Sequence, residues 1–117
     1  MVFASSSSLV NVRFYEIGNK QHMLKLIAQD FIDLDKIHEV TPLYRELIEK
    51  TKQEPDCISY ELFINQKDPG HYIFIEEWPD RAALDAHCQS EHFKRLIPLI
   101  DQHRRQEGAY LLMDSFK

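Results

Sequence analysis

The stretch HYIFIEEWPDRAALDAHCQSEHFKRLIPLI, residues 71–100, decides how the rest of the chain is read. Tyr72-Ile73-Phe74-Ile75 is an unbroken run of β-branched and aromatic residues between Pro69-Gly70 and Pro79-Asp80, the pattern of a strand buried on both faces. A helix follows the Pro-Asp turn. In it Ala83, Leu84, His87 and Cys88 recur at i, i+1, i+4 and i+5, which puts an imidazole on the same stripe as the apolar side chains. Ser90, followed by Glu91 and Phe93, predicts an N-cap opening a second helix. That helix carries Phe93, Leu96, Ile97 and Ile100 on one face, and Pro98 is expected to bend it.

Upstream, residues 57–65 predict a strand joined to the one at Tyr72 by a loop at residues 66–70. Residues 24–33 predict the first core strand, with Leu24, Leu26 and Ala28 on one side and Ile27 and Phe31 on the other. Asp35 is expected to cap a helix whose apolar stripe is Ile37, Val40, Leu43, Tyr44, Leu47 and Ile48. Thr41-Pro42 marks either a kink in it or its true start, and it stops near Glu54-Pro55. After the charged residues 101–108, residues 109–116 predict the last strand. The order β-α-β-β-α-β is that of an α+β, ferredoxin-like subunit, an antiparallel sheet with helices on one face.

Two helical elements cover one face of such a sheet, yet the strands are apolar on both: Ile58, Tyr60 and Leu62 against Phe63, Tyr72 and Phe74 against Ile73 and Ile75. A homodimer packed sheet to sheet covers the second face most economically. Residues 1–22 form a separate N-terminal extension. Residues 5–8 are four serines, and residues 9–17 have the composition of one added strand or of an arm on a partner subunit.

With 117 residues the chain is expected to form one main domain, residues 23–117. Its 14 Lys and Arg are scattered among 19 Asp and Glu, giving a net charge of −5, so no basic stripe points to nucleic acid. No apolar run approaches the roughly 20 residues of a membrane span. Residues 1–12 lack the basic start and apolar core of a secretory leader. Cys57 and Cys88 fit neither a disulfide framework nor a metal-ligand spacing, and reduced thiols in a cytoplasmic protein are the expectation.

Glu76-Glu77-Trp78, Leu84-Asp85-Ala86-His87 and Ser90-Glu91-His92-Phe93, with Cys57-Ile58-Ser59-Tyr60-Glu61 upstream, together resemble the antibiotic-biosynthesis monooxygenase (ABM) domain family. The family pattern has Gly where Asp56 stands here, and the resemblance runs from about Met23 to Phe116. It implies a dimeric α+β barrel. It also implies a cofactor-independent monooxygenase that oxidises a small aromatic phenol or quinol with O2. Isomerisation of a small carbonyl metabolite, or metabolite binding by a non-catalytic dimer, are the alternatives.

A site for such chemistry is expected between sheet and helices, where Trp78, Tyr60, His87 and Phe93 converge. On the residues alone, a core histidine satisfied by a backbone carbonyl explains His87 as well as a general base does. The resemblance favours the base. His92, in the first turn of its helix, ranks second as a catalytic candidate. Trp78 fits core packing or a pocket wall, Tyr60 a dimer-core residue or a phenol donor, and Glu76 and Glu77 alternate so that at most one points inward. His87 and His92 at i, i+5 lack the same-face spacing of a helical metal pair, and no Gly-rich phosphate loop is present. No metal and no cofactor are expected. Haem-degrading relatives of this fold use an Asn on the first strand, a Trp ending the third and a His on the next helix. Here Trp78 matches, but Asp30 and Ile97 occupy the other two positions, leaving no axial imidazole.

Overall fold

The structure, a computed structural model, describes residues 23–116. The extension at residues 1–22, with its expected strand at 9–17, lies outside the described residues. The elements are β1 (Leu24–Ile32), a 3-10 turn (Leu34–Lys36), α1 (Ile37–Lys52), β2 (Ser59–Asn65), β3 (Asp68–Trp78), α2 (Arg81–Cys88), α3 (Glu91–Asp101) and β4 (Arg104–Met113). All strand pairs are antiparallel, in the order β2-β3-β1-β4, so the fold is the expected ferredoxin-like α+β unit. Among the described residues no helix is long and apolar enough to cross a membrane.

The helices cover one face of the sheet. Leu26, Ala28, Ile32, Tyr60, Phe74 and Trp78 point into the layer between and meet Val40, Leu47, Leu84, Leu96 and Ile100. Both expected helical stripes in residues 81–101 are buried as read, with Cys88 partly covered. On the opposite face Ile27, Phe31, Ile73 and Ile75 are only half-buried, while Phe63 and Leu111 are exposed at 47% and 58%. Within one chain, therefore, the strand at Tyr72 is buried on one face only.

Three boundaries differ from the sequence reading. β3 begins at Asp68, so the hairpin loop shrinks to Gln66-Lys67, and Gly70 lies inside the strand where a Cβ would come 2.4 Å from Ile32 O. Only glycine allows that approach of β3 to the end of β1. β4 starts at Arg104 rather than 109, because an edge strand carries solvated charges that mask it in the sequence. Asp35 sits inside the 3-10 turn, and α1 is preceded by Lys36 without a side-chain cap. Pro42 lies within α1, where the Thr41 hydroxyl donates to Ile37 O at 2.7 Å and keeps the turn closed around it.

Candidate functional site

The break between α2 and α3 builds the site. Ser90 serves both helices, its hydroxyl donating to His87 O at 2.7 Å and accepting from the Phe93 amide at 3.3 Å. Asp80 starts α2 by accepting from the Ala83 amide at 2.9 Å. The i, i+5 spacing of His87 and His92 would place them apart on one continuous helix. On two helices their ring centroids stand 6.2 Å apart.

His87 is fully buried. Its ring is enclosed by Trp78 at 4.8 Å, Phe93 at 5.0 Å and Tyr60 at 5.2 Å between centroids, so the four residues expected to converge do so. His87 Nδ1 lies 2.8 Å from Glu54 Oε2, and His92 Nε2 lies 2.6 Å from the same oxygen. Burial alone would raise the Glu54 carboxyl, but the hydrogen bonds from the two imidazoles outweigh it and hold the group below the usual carboxylate range. An ionised carboxylate only accepts, so both facing ring nitrogens carry their protons. Burial pushes His87 down, against the pull of Glu54, and keeps the ring neutral. Its Nε2, buried and without a hydrogen-bond partner, then presents a lone pair.

Glu76 is the one of the Glu76-Glu77 pair that points inward. It is fully buried on β3, its Oε1 accepts from Trp78 Nε1–H at 3.0 Å, and burial pushes it up to about 8. Glu77 faces the other way and pairs with Lys25 at 3.0 Å. Tyr60 is pushed well above the ordinary phenol range, first by burial and then by Glu76. Cys57 and Cys88 are raised by burial to about 11 and about 12, so both remain thiols rather than nucleophilic thiolates.

The rings pack against one another, and open space lies beside them: a pocket of about 370 Å³ bounded by Lys52, Cys57, Tyr60 and Glu61. Tyr60 joins the two. This pocket lies on the β2 side of the cluster. Glu54, His87 and His92 each offer one ligand atom within 4.8 Å of the others, a set that could hold a divalent ion, and the hydrogen bonds already satisfy the same atoms with protons. At the two positions compared with haem-degrading relatives, Asp30 accepts from Tyr44 Oη at 2.6 Å and Ile97 packs in the core.

Comparison with known proteins follows the same line. The family described as antibiotic biosynthesis monooxygenase matches residues 23–99. A crystal structure described as an antibiotic biosynthesis monooxygenase is 65% identical with a TM-score of 0.80, covering 80% of this chain and 99% of its own. A conserved protein from Methanosarcina mazei Go1 is 28% identical with a TM-score of 0.76, over 83% of this chain and 96% of its own. The uncharacterized Synechocystis protein sll1783 is 36% identical over 63 residues, which is 54% of this chain and only 43% of that protein. YcnE of Bacillus subtilis, provisionally described as a monooxygenase, is 24% identical over 64% of this chain and 79% of its own.

Proposed function

This chain belongs to the antibiotic biosynthesis monooxygenase family, and we propose that it oxidises a small aromatic phenol or quinol with O2. The observation that carries this reading is the buried His87, backed at Nδ1 by the Glu54 carboxylate and bare at Nε2 among three aromatic side chains. A neutral imidazole oriented by a carboxylate is a general base, and the rings supply flat surfaces for an aromatic substrate.

In this reading Nε2 takes the hydroxyl proton of the substrate. The phenolate that results is electron-rich at the carbon para to oxygen, where O2 adds. One oxygen atom stays as the second quinone carbonyl and the other leaves as water with the para hydrogen and the transferred proton, so that phenol plus O2 gives quinone plus water. A quinol instead passes two electrons and two protons to O2, giving quinone and hydrogen peroxide. The electrons come from the substrate in both cases. Exclusion of water by Trp78, Phe93 and Tyr60 protects the phenolate from reprotonation by solvent. His92 shares Glu54 with His87 and is the second candidate for proton transfer.

The isomerase alternative calls for cations near the pocket to hold a phosphorylated carbonyl compound. Arg95 is paired with Glu46 and Glu91, and Arg105 with Asp68, which weakens that reading. Lys52 does border the pocket. The active unit is proposed to be a homodimer joined through the exposed sheet face.

The test is oxygen consumption by the purified protein against a panel of phenols and quinols, followed by His87→Ala and His87→Asn. Removing a positioned base costs about 10²–10⁴-fold in rate, with fold and melting largely kept. A His87→Ala protein that melts earlier but turns over normally would make His87 a core residue. Turnover that persists without O2 would favour the isomerase, and ligand-induced melting shifts without any turnover the binding module.

A further inference from the structure

Among the described residues Glu76 has no countercharge. From β2 it faces Tyr60, its register partner, and from β1 Leu26. The titratable groups that act on it or that it acts on are Tyr60, Cys88 on α2, and Glu54 and Cys57 in the α1–β2 connection. None is a cation, and the one ionised group among them, Glu54, is of like sign. Its polar contact in the protein is the neutral Trp78 N–H, and Oε2 is buried with no partner. Two further buried polar atoms without partners, Tyr60 Oη and His87 Nε2, belong to rings in contact with each other and with Trp78. A carboxylate in such a place would bear the full cost of desolvation, whereas a carboxylic acid keeps a proton to donate.

We propose that Tyr60, Glu76 and His87 form one recognition site for an uncharged, hydroxyl-bearing aromatic ligand, in which Glu76 is a carboxylic acid that donates to a ligand oxygen while His87 Nε2 accepts from a ligand hydroxyl. The inference rests on the phenol reading above and narrows it. Anionic ligands, carboxylated or phosphorylated, are rejected, because they would meet a buried acid and a neutral imidazole, and among the described residues no cation acts on Glu76. When the phenol loses its proton to His87, the hydrogen bond from Glu76 stabilises the negative oxygen left behind. Loss of the Glu76 proton removes that donor and adds a buried negative charge, which weakens binding of the hydroxyl ligand, and burial sets the loss near pH 8.

Trp78 is the single tryptophan of the chain and is hydrogen-bonded to Glu76, so its emission reports the state of the acid directly. Ligand-free wild type and Glu76→Gln, both checked by circular dichroism, are titrated from about pH 6 to 10. A transition near pH 8 in wild type and absent from Glu76→Gln is the expected result. Its absence from wild type, or its survival in the variant, overturns the proposal. Should Glu76→Gln fail to fold, Glu76→Asp must shift the midpoint. Hydroquinone and 4-hydroxybenzoate are then compared under argon, where no turnover occurs. Hydroquinone is expected to bind at about pH 6.5 and to weaken about tenfold at about pH 9. This loss should be missing in Glu76→Gln, and 4-hydroxybenzoate should bind at least about tenfold more weakly than hydroquinone. Equal binding of the two overturns the proposed selectivity. Absence of all binding with the titration intact counts against the phenol reading and upholds the protonated Glu76, while binding without the titration does the reverse.

Discussion

Glu54 Oε2 stands 2.8 Å from His87 Nδ1 across 33 residues of sequence, and the same oxygen accepts from His92. The carboxylate fixes which nitrogen of His87 carries the proton and therefore which one is free to act. Glu54→Gln removes the negative charge and offers an amide that can turn either its N–H2 or its oxygen toward the rings. In the proposed reaction the rate is expected to fall by about 10²–10⁴-fold, as when the orienting carboxylate of a catalytic histidine is lost. The fold should be retained, since Glu54 lies in the turn after α1 rather than in the core. Rates with the best phenol substrate, alongside melting curves, check this. An unchanged rate would reduce Glu54 to a tether between the α1–β2 turn and α2.

Stability should depend on pH in two opposite ways. Glu76 is raised in the folded state, so its contribution is complete below the ordinary glutamate range and is lost as pH climbs through about 8. His87 is lowered, so its contribution is present above the ordinary histidine range and lost as pH falls below it. Melting temperature is therefore expected to pass through a maximum between these limbs. At about 1.4 kcal/mol per pK unit, the alkaline loss is on the order of a few kcal/mol. Glu76→Gln should flatten the alkaline limb and leave the acid one. Calorimetry across about pH 5 to 9 reads both, and an alkaline limb unchanged in the variant would assign it to another group.

The fold was legible because its signals are periodic. The apolar stripes of α2 and α3, the Ser90 cap and the β-branched run at Tyr72 each specify an element locally, and the structure buries the two helical stripes and, in the run, Tyr72 and Phe74. Half of the site was legible for the same reason, since His87 lies on such a stripe. The two carboxyls were not, because a glutamate is ordinarily solvated. Glu76 nonetheless shares strand parity with Tyr72, Phe74 and Trp78, and that two-residue period points it inward. For Glu54 no local signal exists: the turn after α1 delivers it to a helix far along the chain. Likewise the charges that mark β4 as an edge conceal it as a strand, and Gly70 beside Pro69 has the look of a turn although its role is a close approach between strands.

Gly70 makes that approach testable. A Cβ there would fall 2.4 Å from Ile32 O, 2.9 Å from the Arg105 side chain and 3.2 Å from that of Leu34. Arg105 can move, but the Ile32 carbonyl is backbone and gives only if the β1 end shifts. Gly70→Ala is expected to destabilise by about 1–3 kcal/mol, read as an earlier denaturant midpoint. The proposed site lies at the other end of β3, so the reaction rate per folded molecule should be unaffected. A variant as stable as wild type would mean that the end of β1 yields freely.

The sheet face that the helices leave open carries the last prediction. Ile27 pairs with both Ile75 and Leu111 across the central strands, and Phe63 pairs with Ile73, which makes a continuous apolar surface on the side away from the helices. Leu111 and Phe63 are exposed in the single chain. A surface of this kind is a ready self-complementary interface, and light scattering at micromolar concentration is expected to give twice the chain mass of 13.9 kDa. Leu111→Asp places an unpaired charge on that face. It should shift the population toward monomer without changing the circular dichroism, because Leu111 packs against nothing in the helical layer. His87 and Glu54 lie on the opposite side of the sheet, so a monomer that keeps full turnover would show the site to be complete in one chain. A wild-type protein that scatters as a stable monomer at that concentration would instead leave the apolar face without its proposed partner.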